Sequence, residues 1–268
     1  MPSNGARPAS WSRRWPPRST KLTQDERRLI VRTVLDVTRG RIPIIGGATA
    51  NTPEDRLAAA RVLLELGCEA VLASIPYVDD DDYTRQVEAL AALGPDLLML
   101  QDWDASGYGL PLPLILDLFE RFEAFRSIKI EVAPAGVKYT QVLDATGGRL
   151  HVAGGWAIVQ MIEALDRGVH ALMPTSLHPV YRQILRLYDA GDRAGATTMF
   201  RRLLPVLAVS NQHLDLSIHC FKRLVYRQGL YATPNVRQPI QPIDSYQARS
   251  IDEAIDLALD LMHETERP

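Results

Sequence analysis

The chain has little cysteine, no long apolar run and almost no net charge. Among its 268 residues only Cys68 and Cys220 are cysteines, which suggests neither a disulfide framework nor a metal knuckle and fits a reducing cytoplasm. No apolar run reaches the roughly 18 residues that a membrane span needs. The net charge of −2 gives no bulk attraction to nucleic acid or to an anionic membrane. We therefore expect a small-molecule site.

Two nucleotide-binding motifs are also missing from the sequence. The turn "GGATAN" at 46–51 lacks the Gly-x-Gly-x-x-Gly spacing of a dinucleotide site, and no Gly-Lys-Ser/Thr phosphate loop occurs. We accordingly expect no cofactor and no metal.

A strand followed by a helix is the repeating unit of the chain. A first helix is predicted at "LTQDERRLIVRTVLDVTRG", where Thr23 and Glu26 have the spacing of a capping box. Six short apolar strands follow, each with a helix after it, and such alternation predicts a parallel sheet with both faces covered. The six predicted strands are "RIPIIGGAT", "EAVLASIPY", "DLLMLQDW", "SIKIEVA", "LHVAGGW" and "HALMPTS".

Three regions are predicted from these patterns. Residues 1–20 are rich in Pro, Arg and Ser, which favours a disordered or unrelated tail over a targeting peptide, whose helix the prolines would break. Residues 21–175 carry the strand–helix units. Residues 176–268 are predicted to be a C-terminal helical extension that packs on the α/β domain. Without a phosphate loop, the regular alternation favours a TIM (β/α)8-type barrel.

Charged residues alternate with isoleucines in the strand "SIKIEVA". In a barrel Ile128 and Ile130 would face the surrounding helices, so Lys129 and Glu131 would point inward. A partly desolvated lysine has an accessible neutral amine, which is what attack on a carbonyl to form a Schiff base requires. From periodicity alone an ordinary ion pair on a solvated edge is the alternative.

The sequence from Leu22 to about residue 239 resembles the dihydrodipicolinate synthase / N-acetylneuraminate lyase (DapA-like) family. The resemblance rests on the order and spacing of several motifs, namely "LTQDER", "IPIIGGATANTPEDRLAAARVLLELGCEAVLASIPY", "IKIE" with "PAGVK" after it, "VAGGW", "YDAGDRAGA" and "FKRLVYRQGL". It implies a barrel enzyme that forms a Schiff base between a lysine and pyruvate or another 2-oxo acid. It also implies a homo-oligomer, a dimer or a tetramer, in the cytoplasm.

The resemblance assigns the Schiff base to Lys129, in the "IKIE" of strand six of the family. An alternative alignment puts Glu131 in the lysine's place. Lys138 is a weaker candidate, because it lies in the first turn of the next helix, where a solvated lysine is ordinary. The residues that we expect to bind substrate are Gly47, Gln101, Glu131, Gly154 and Gly155.

Several positions depart from the family pattern. The strand-five tyrosine that relays protons in the family corresponds to Gln101, and the second tyrosine of the family's Pro-Tyr-Tyr corresponds to Val78. The family's Thr-Thr-Gly-Glu turn and two strands before "LTQDER" have no counterpart, so six of eight barrel strands are predicted. Truncation of a longer chain is the expected explanation; the alternative is a divergent member that closes its sheet by oligomerising.

Other polar clusters are expected to be structural. His151 and His170 stand at strand beginnings and His178 near the last strand, where core or surface roles are favoured over metal binding. The "DDDD" at 79–82 is typical of a solvated helix N-terminus. The predicted function is a class I lyase, aldolase or dehydratase on a 2-oxo acid, possibly derived from a sugar. The alternative is a catalytically inactive or truncated family member.

Overall fold

The computed structural model describes residues 21–104, 107–155 and 159–266. The predicted tail, residues 1–20, lies outside the described residues. Six parallel strands form the centre of the fold, and they stand in the sheet in the same order as in the chain. The strands are β1 (Ile45–Gly47), β2 (Ala70–Ser74), β3 (Leu97–Asp104), β4 (Phe125–Val132), β5 (His151–Gly154) and β6 (Ala171–Leu172).

Helices connect the strands and form a layer on one side of the sheet. The helices up to β6 are α1 (Gln24–Thr38), α2 (Pro53–Glu65), α3 (Asp80–Ala91), α4 (Leu112–Arg121), α5 (Ala135–Thr146) and α6 (Met161–Asp166). The C-terminal helices are α7 (His178–Asp189), α8 (Arg193–Ser210), α9 (Leu214–Arg227) and α10 (Ser245–Glu266). Within the described ranges no helix is long and apolar enough to cross a membrane.

Side-chain caps set where the first helices begin. Thr23 Oγ1 accepts a hydrogen bond from the Glu26 amide, and the Glu26 carboxylate accepts one from the Thr23 amide, which is the predicted capping box of α1. Thr52 Oγ1 accepts a hydrogen bond from the Asp55 amide and so caps α2, with Pro53 in its first turn. Asp79 caps α3, so the acidic run at 79–82 complements the helix dipole there.

The helix-facing side of the central strands is mostly buried. Leu100, Ile128 and Ile130 are 0% exposed and pack with residues of α2 to α5 in one apolar core. A second core joins α6 to the C-terminal helices, and Leu172 of β6 contacts both cores. The C-terminal helices are therefore attached to the sheet through its last strand.

The other side of the sheet, the inner face, is less well covered. Ile45 of β1 is 37% exposed and Trp103 of β3 is 40% exposed. Among the described residues β1 and β6 each pair with a single neighbour, so the six strands form a half-barrel and not a closed one. An inner face that is partly open leaves room for a ligand at the carboxyl ends of the strands.

Candidate active site

Strands β3 and β4 place three polar side chains next to one another on the inner face. Gln101 and Lys129 are register partners, and Trp103 is the partner of Glu131. Because side chains alternate along a strand, Lys129 and Glu131 lie on the same face, towards the carboxyl ends. In barrels of this type active sites form at these ends.

The Lys129–Glu131 pair is close and mostly screened from solvent. Lys129 Nζ lies 3.0 Å from Glu131 Oε1, and the two side chains are 16% and 14% exposed. The side-chain amide of Gln101 donates a hydrogen bond to the other carboxylate oxygen, Oε2. Gln101 thereby helps to fix the orientation of the Glu131 carboxylate. Lys129 therefore stands beside a hydrogen-bonded carboxylate on the inner face.

Gly155 follows β5 and presses its backbone against this pair. A Cβ atom at position 155 would lie 1.8 Å from Glu131 Oε1 and 2.6 Å from Lys129 Cε. No side chain fits at those distances unless the ion pair moves. The glycine is therefore required by the Lys129–Glu131 pair itself.

A cavity of about 500 Å³, called here the lysine cavity, opens in front of the pair. Its volume is typical of small-molecule sites. Side chains of β3 and β4 form one wall, and the loop between α8 and α9 forms the opposite wall. The lining residues are Gln101, Trp103, Lys129, Glu131, Gly155, Val159, Met173, Thr175, Asn211, Gln212, His213, Leu214 and Ser217.

A second cavity of about 360 Å³, called here the adjoining cavity, lies at the carboxyl ends of β1 to β3. It shares Gln101 and Trp103 with the lysine cavity. Gly109 and Leu110, from the segment after β3, form part of its wall. The two cavities together cover the carboxyl end of the sheet from β1 to the segment after β6.

Lys138 corrects one expectation from the sequence, because it is not solvated. Its side chain is 0% exposed and pairs with Asp102, which is 1% exposed. Lys138 Nζ also donates to the carbonyl oxygens of Tyr108, at 2.6 Å, and Leu110, at 2.7 Å. Burial lowers the pKa of Lys138 and raises the pKa of Asp102, and each charge opposes the shift in its partner. The helix position alone did not reveal that segment 107–110 covers this first turn.

The structure brings together four of the predicted site residues, and not the other two. Lys129, Gln101, Glu131 and Gly155 line the lysine cavity. Gly47 lines a groove between α1 and α2. Gly154 is a strand residue whose carbonyl accepts the amide of Met173, and the lining of the lysine cavity begins one residue later.

Sequence reasoning missed several residues of the lysine cavity. Trp103 follows Gln101 by two positions in β3, so strand alternation could have placed it on the inner face. Asn211, His213 and Ser217 come from the helical extension, and no local pattern indicates that this loop returns to the sheet. Asp102 lies on the helix-facing side of β3, and strand alternation from Leu98 and Leu100 was the available signal.

His151 and His170 lie at the opposite end of the sheet, where β5 and β6 begin. The rings of His151 and His170 stack with centroids 5.1 Å apart, and Ser127 Oγ lies 3.0 Å from His151 Nδ1. Burial, together with the neighbouring His170, lowers the pKa of His151. In the part of the chain that the structure describes, no group of three or more His, Cys, Asp or Glu side chains could hold a metal ion.

Comparison with known proteins identifies relatives of the whole strand–helix region. The chain is 26% identical over 235 residues to an L-2-keto-3-deoxyarabonate dehydratase from Azospirillum brasilense, covering 82% of this chain and 73% of the dehydratase. It is 24% identical over 251 residues to a 4-hydroxy-tetrahydrodipicolinate synthase from Alkalilimnicola ehrlichii, covering 90% of this chain and 83% of the synthase.

Solved structures show the same fold. The 4-hydroxy-tetrahydrodipicolinate synthase of Methylacidiphilum fumariolicum SolV superposes with a TM-score of 0.82 at 18% identity, over 93% of this chain and 84% of that one. The N-acetylneuraminate lyase of Fusobacterium nucleatum in complex with pyruvate gives a TM-score of 0.75 at 15% identity, over 92% of this chain and 81% of that one. The half-barrel thus matches part of a TIM-barrel fold.

The model of the dihydrodipicolinate synthetase family matches residues 18–258, which is most of the chain. This match confirms the resemblance predicted from the sequence motifs. It supports a lyase-type function at the level of the family, whose relatives above are named as a dehydratase and a synthase. The chain belongs to the dihydrodipicolinate synthetase family.

Proposed function

We propose that the protein is a class I lyase that forms a Schiff base between Lys129 and pyruvate or another 2-oxo acid. The observation that carries the proposal is the position of Lys129, 3.0 Å from the Glu131 carboxylate and on the wall of a cavity of about 500 Å³. Glu131 is the one carboxylate among the described residues that line this cavity. The ion pair supplies both a nucleophile and a proton acceptor.

The chemistry follows from the properties of an imine. The neutral amine of Lys129 adds to the C2 carbonyl of the 2-oxo acid. The hydroxyl group of the adduct then takes up a proton from solvent and leaves as water, which gives a protonated imine. The imine nitrogen then accepts the electron pair that is released when C3 loses a proton. Glu131 takes up that proton, since it lies next to the nitrogen. In a dehydratase, the C4 hydroxyl group then takes the proton from Glu131 and leaves as water. In an aldolase, the C3–C4 bond breaks in place of the C3–H bond, and Glu131 takes up the proton of the C4 hydroxyl group.

A hydroxylated 2-oxo acid derived from a sugar is the substrate class that we favour. Gln101 occupies the position of the family's tyrosine proton relay and cannot titrate, which argues against the usual synthase chemistry. One relative is an L-2-keto-3-deoxyarabonate dehydratase at 26% identity. Polar side chains on the far wall, such as Asn211 and Ser217, offer hydrogen bonds to hydroxyl groups.

Reductive trapping tests the proposal. The chain has only four lysines, Lys21, Lys129, Lys138 and Lys222, so peptide mapping can assign an adduct without ambiguity. We expect borohydride with pyruvate to add one reduced pyruvyl group on Lys129. Lys129→Met should abolish the adduct, and the matched control Lys222→Met should retain it. If neither pyruvate nor a panel of 2-oxo acids gives an adduct, the catalytically inactive alternative is favoured and the proposal fails.

Two further expectations stay predictions. One is a homo-oligomer in the cytoplasm. The other is closure of the barrel, either by two strands beyond the six described ones or by a second copy of the chain. Sedimentation of the purified protein measures its oligomeric state. If the barrel is closed, the inner-face residues Ile45 and Trp103 should be less exposed than they are in the six described strands.

A further inference from the structure

Lys138 is bound on several sides by the short segment between β3 and α4. Its ammonium pairs with Asp102 and donates to the carbonyl oxygens of Tyr108 and Leu110. It also lies 5.1 Å from the centre of the Tyr108 ring. Residues 107–110, called here the 107–110 segment, are thereby fastened to the first turn of α5.

Asp102 holds the same segment from the strand side. Its Oδ1 atom accepts the Leu110 amide at 2.8 Å, while its other oxygen pairs with Lys138. Gly109 packs so closely that a Cβ there would lie 2.1 Å from Asp102 Oδ1, and it has a φ of +73°. A side chain at this position is excluded by both space and backbone conformation. The 107–110 segment thus has one defined place on the carboxyl end of β3.

The position of the 107–110 segment matters for the lysine cavity because the segment borders residues that also line that cavity. Gly109 and Leu110 line the adjoining cavity together with Gln101 and Trp103. Gln101 and Trp103 are also walls of the lysine cavity, and Gln101 holds the carboxylate of Glu131. A shift of the 107–110 segment therefore changes the surroundings of the two residues that the cavities share.

The ion pair with Asp102 alone does not explain a lysine at position 138. A buried ion pair is often replaced by apolar residues without loss of stability, so packing could be achieved without a charge. The carbonyl oxygens of Tyr108 and Leu110, however, need a donor in this place, and buried carbonyls without one are costly. The ammonium has enough donors to satisfy both carbonyls and the carboxylate together.

We propose that Lys138 is a positioning residue, which fastens the 107–110 segment over the end of β3 and so fixes Gln101 and Trp103 for reaction at Lys129. This inference rests on the proposed Schiff-base function of Lys129. Lys138 itself does not touch the substrate, because its side chain is 0% exposed.

The experiment compares Lys138→Met with the double variant Lys138→Met/Asp102→Asn. The single variant leaves Asp102 buried without its cation, and it can lower the stability of the whole protein. The double variant removes both charges, while the oxygen of the introduced side-chain amide still accepts the Leu110 backbone N–H. Its thermal midpoint should therefore lie close to the wild-type value, although the carbonyl oxygens of Tyr108 and Leu110 still lack their donor.

Two quantities are measured in the wild type, both variants and the control Lys222→Met. One is the rate of reductive pyruvate trapping at Lys129 at matched pyruvate concentrations, and the other is amide hydrogen exchange of residues 107–110. We expect the double variant to trap pyruvate at least about 10-fold more slowly than the wild type, with faster exchange in the segment. The control should match the wild type in both.

The other outcomes overturn the proposal in distinguishable ways. If the double variant regains both its thermal midpoint and the wild-type trapping rate, Lys138 serves stability only. If the adduct maps to Lys138, that residue is the nucleophile and not a positioning residue. If the wild type forms no adduct, the Schiff-base function itself is refuted, and the positioning role is refuted with it because there is no reaction to position.

Discussion

Two lysine–carboxylate pairs lie close together in the fold and differ in nearly everything else. Lys129 and Glu131 lie on the inner face, 16% and 14% exposed, at the wall of a cavity. Lys138 and Asp102 lie on the helix-facing side, 0% and 1% exposed, with backbone groups as additional partners. The same two chemical groups are therefore held once beside a cavity and once inside the protein.

We infer from this difference that access to a cavity, and not burial alone, determines which of the two lysines can react. Lys138 is the more buried lysine, and burial lowers its pKa, yet a carboxylate and two carbonyls occupy its donors. Lys129 has an open cavity in front of it, so a carbonyl carbon can approach the nitrogen. We therefore expect the two pairs to respond in opposite ways to substitution.

The largest expected effect is on proton transfer at the inner pair. Glu131→Gln removes the proton acceptor but keeps the shape, so exchange of the C3 protons of pyruvate in D₂O should fall by about 100-fold or more. NMR measures this exchange directly. Trapping at Lys129 should continue, and the thermal midpoint should fall less than in Lys138→Met, because Lys129 borders an open cavity and Lys138 is fully buried. Unchanged C3 exchange would show that another group removes the proton.

Substitution in the buried Lys138–Asp102 pair should lower the stability of the protein. Lys138→Met leaves a buried carboxylate unpaired, and the free energy of unfolding should drop by about 3–5 kcal/mol in urea denaturation. The control is Arg227→Met, which breaks an exposed pair with Asp256 and should cost at most about 1 kcal/mol. Equal losses in the two variants would mean that the Lys138–Asp102 pair is not protected from solvent.

A glycine comparison sharpens the geometry of the inner pair. Gly155→Ala places a methyl group where Glu131 and Lys129 already lie, so trapping should slow by about 10- to 100-fold. Gly47→Ala is the matched control, since a Cβ there meets nothing within 4 Å. Gly47→Ala could instead raise the pyruvate concentration that gives half-maximal trapping. That result would support the predicted substrate-binding role of Gly47, although Gly47 does not line the lysine cavity.

The smallest expected effect comes from His151 at the amino end of β5, far from the lysine cavity. His151 has a lowered pKa in the folded protein, so below its ordinary value of 6.5 the unfolded chain binds protons first. Stability should therefore fall as the pH drops through 6.5 and below, and remain level above it. His151→Gln should flatten this dependence. At pH 5 the thermal midpoint of the variant should be about 2–4 °C higher than that of the wild type. A steep dependence in the variant would assign it to other groups.

The sequence predicted the fold well because its signals are local. Thr23 and Thr52 start helices through caps that involve only nearby residues, and alternation in "SIKIEVA" distinguishes Lys129 from Ile128 and Ile130. Each parallel strand could be read from a short apolar run followed by a helix. The roles of the site residues stay predictions that the experiments above are designed to test.

The missed features all depend on contacts between distant parts of the chain. Lys138 is buried because the segment after β3 folds over it, about 30 residues away in sequence. Asn211 and His213 reach the lysine cavity because α8 and α9 turn back towards the sheet. No local pattern records such contacts, so a lysine in a first helical turn looks the same whether it is solvated or covered.

The agreement between sheet order and chain order has a consequence for how the protein folds. Each strand pairs with the next one in sequence, so every pairing closes only a short loop through one helix. Folding can then proceed by adding one strand–helix unit at a time, without waiting for the ends of the chain to meet. The central strands β3 and β4 should be the most protected in hydrogen exchange, and the short edge strands β1 and β6 should open first.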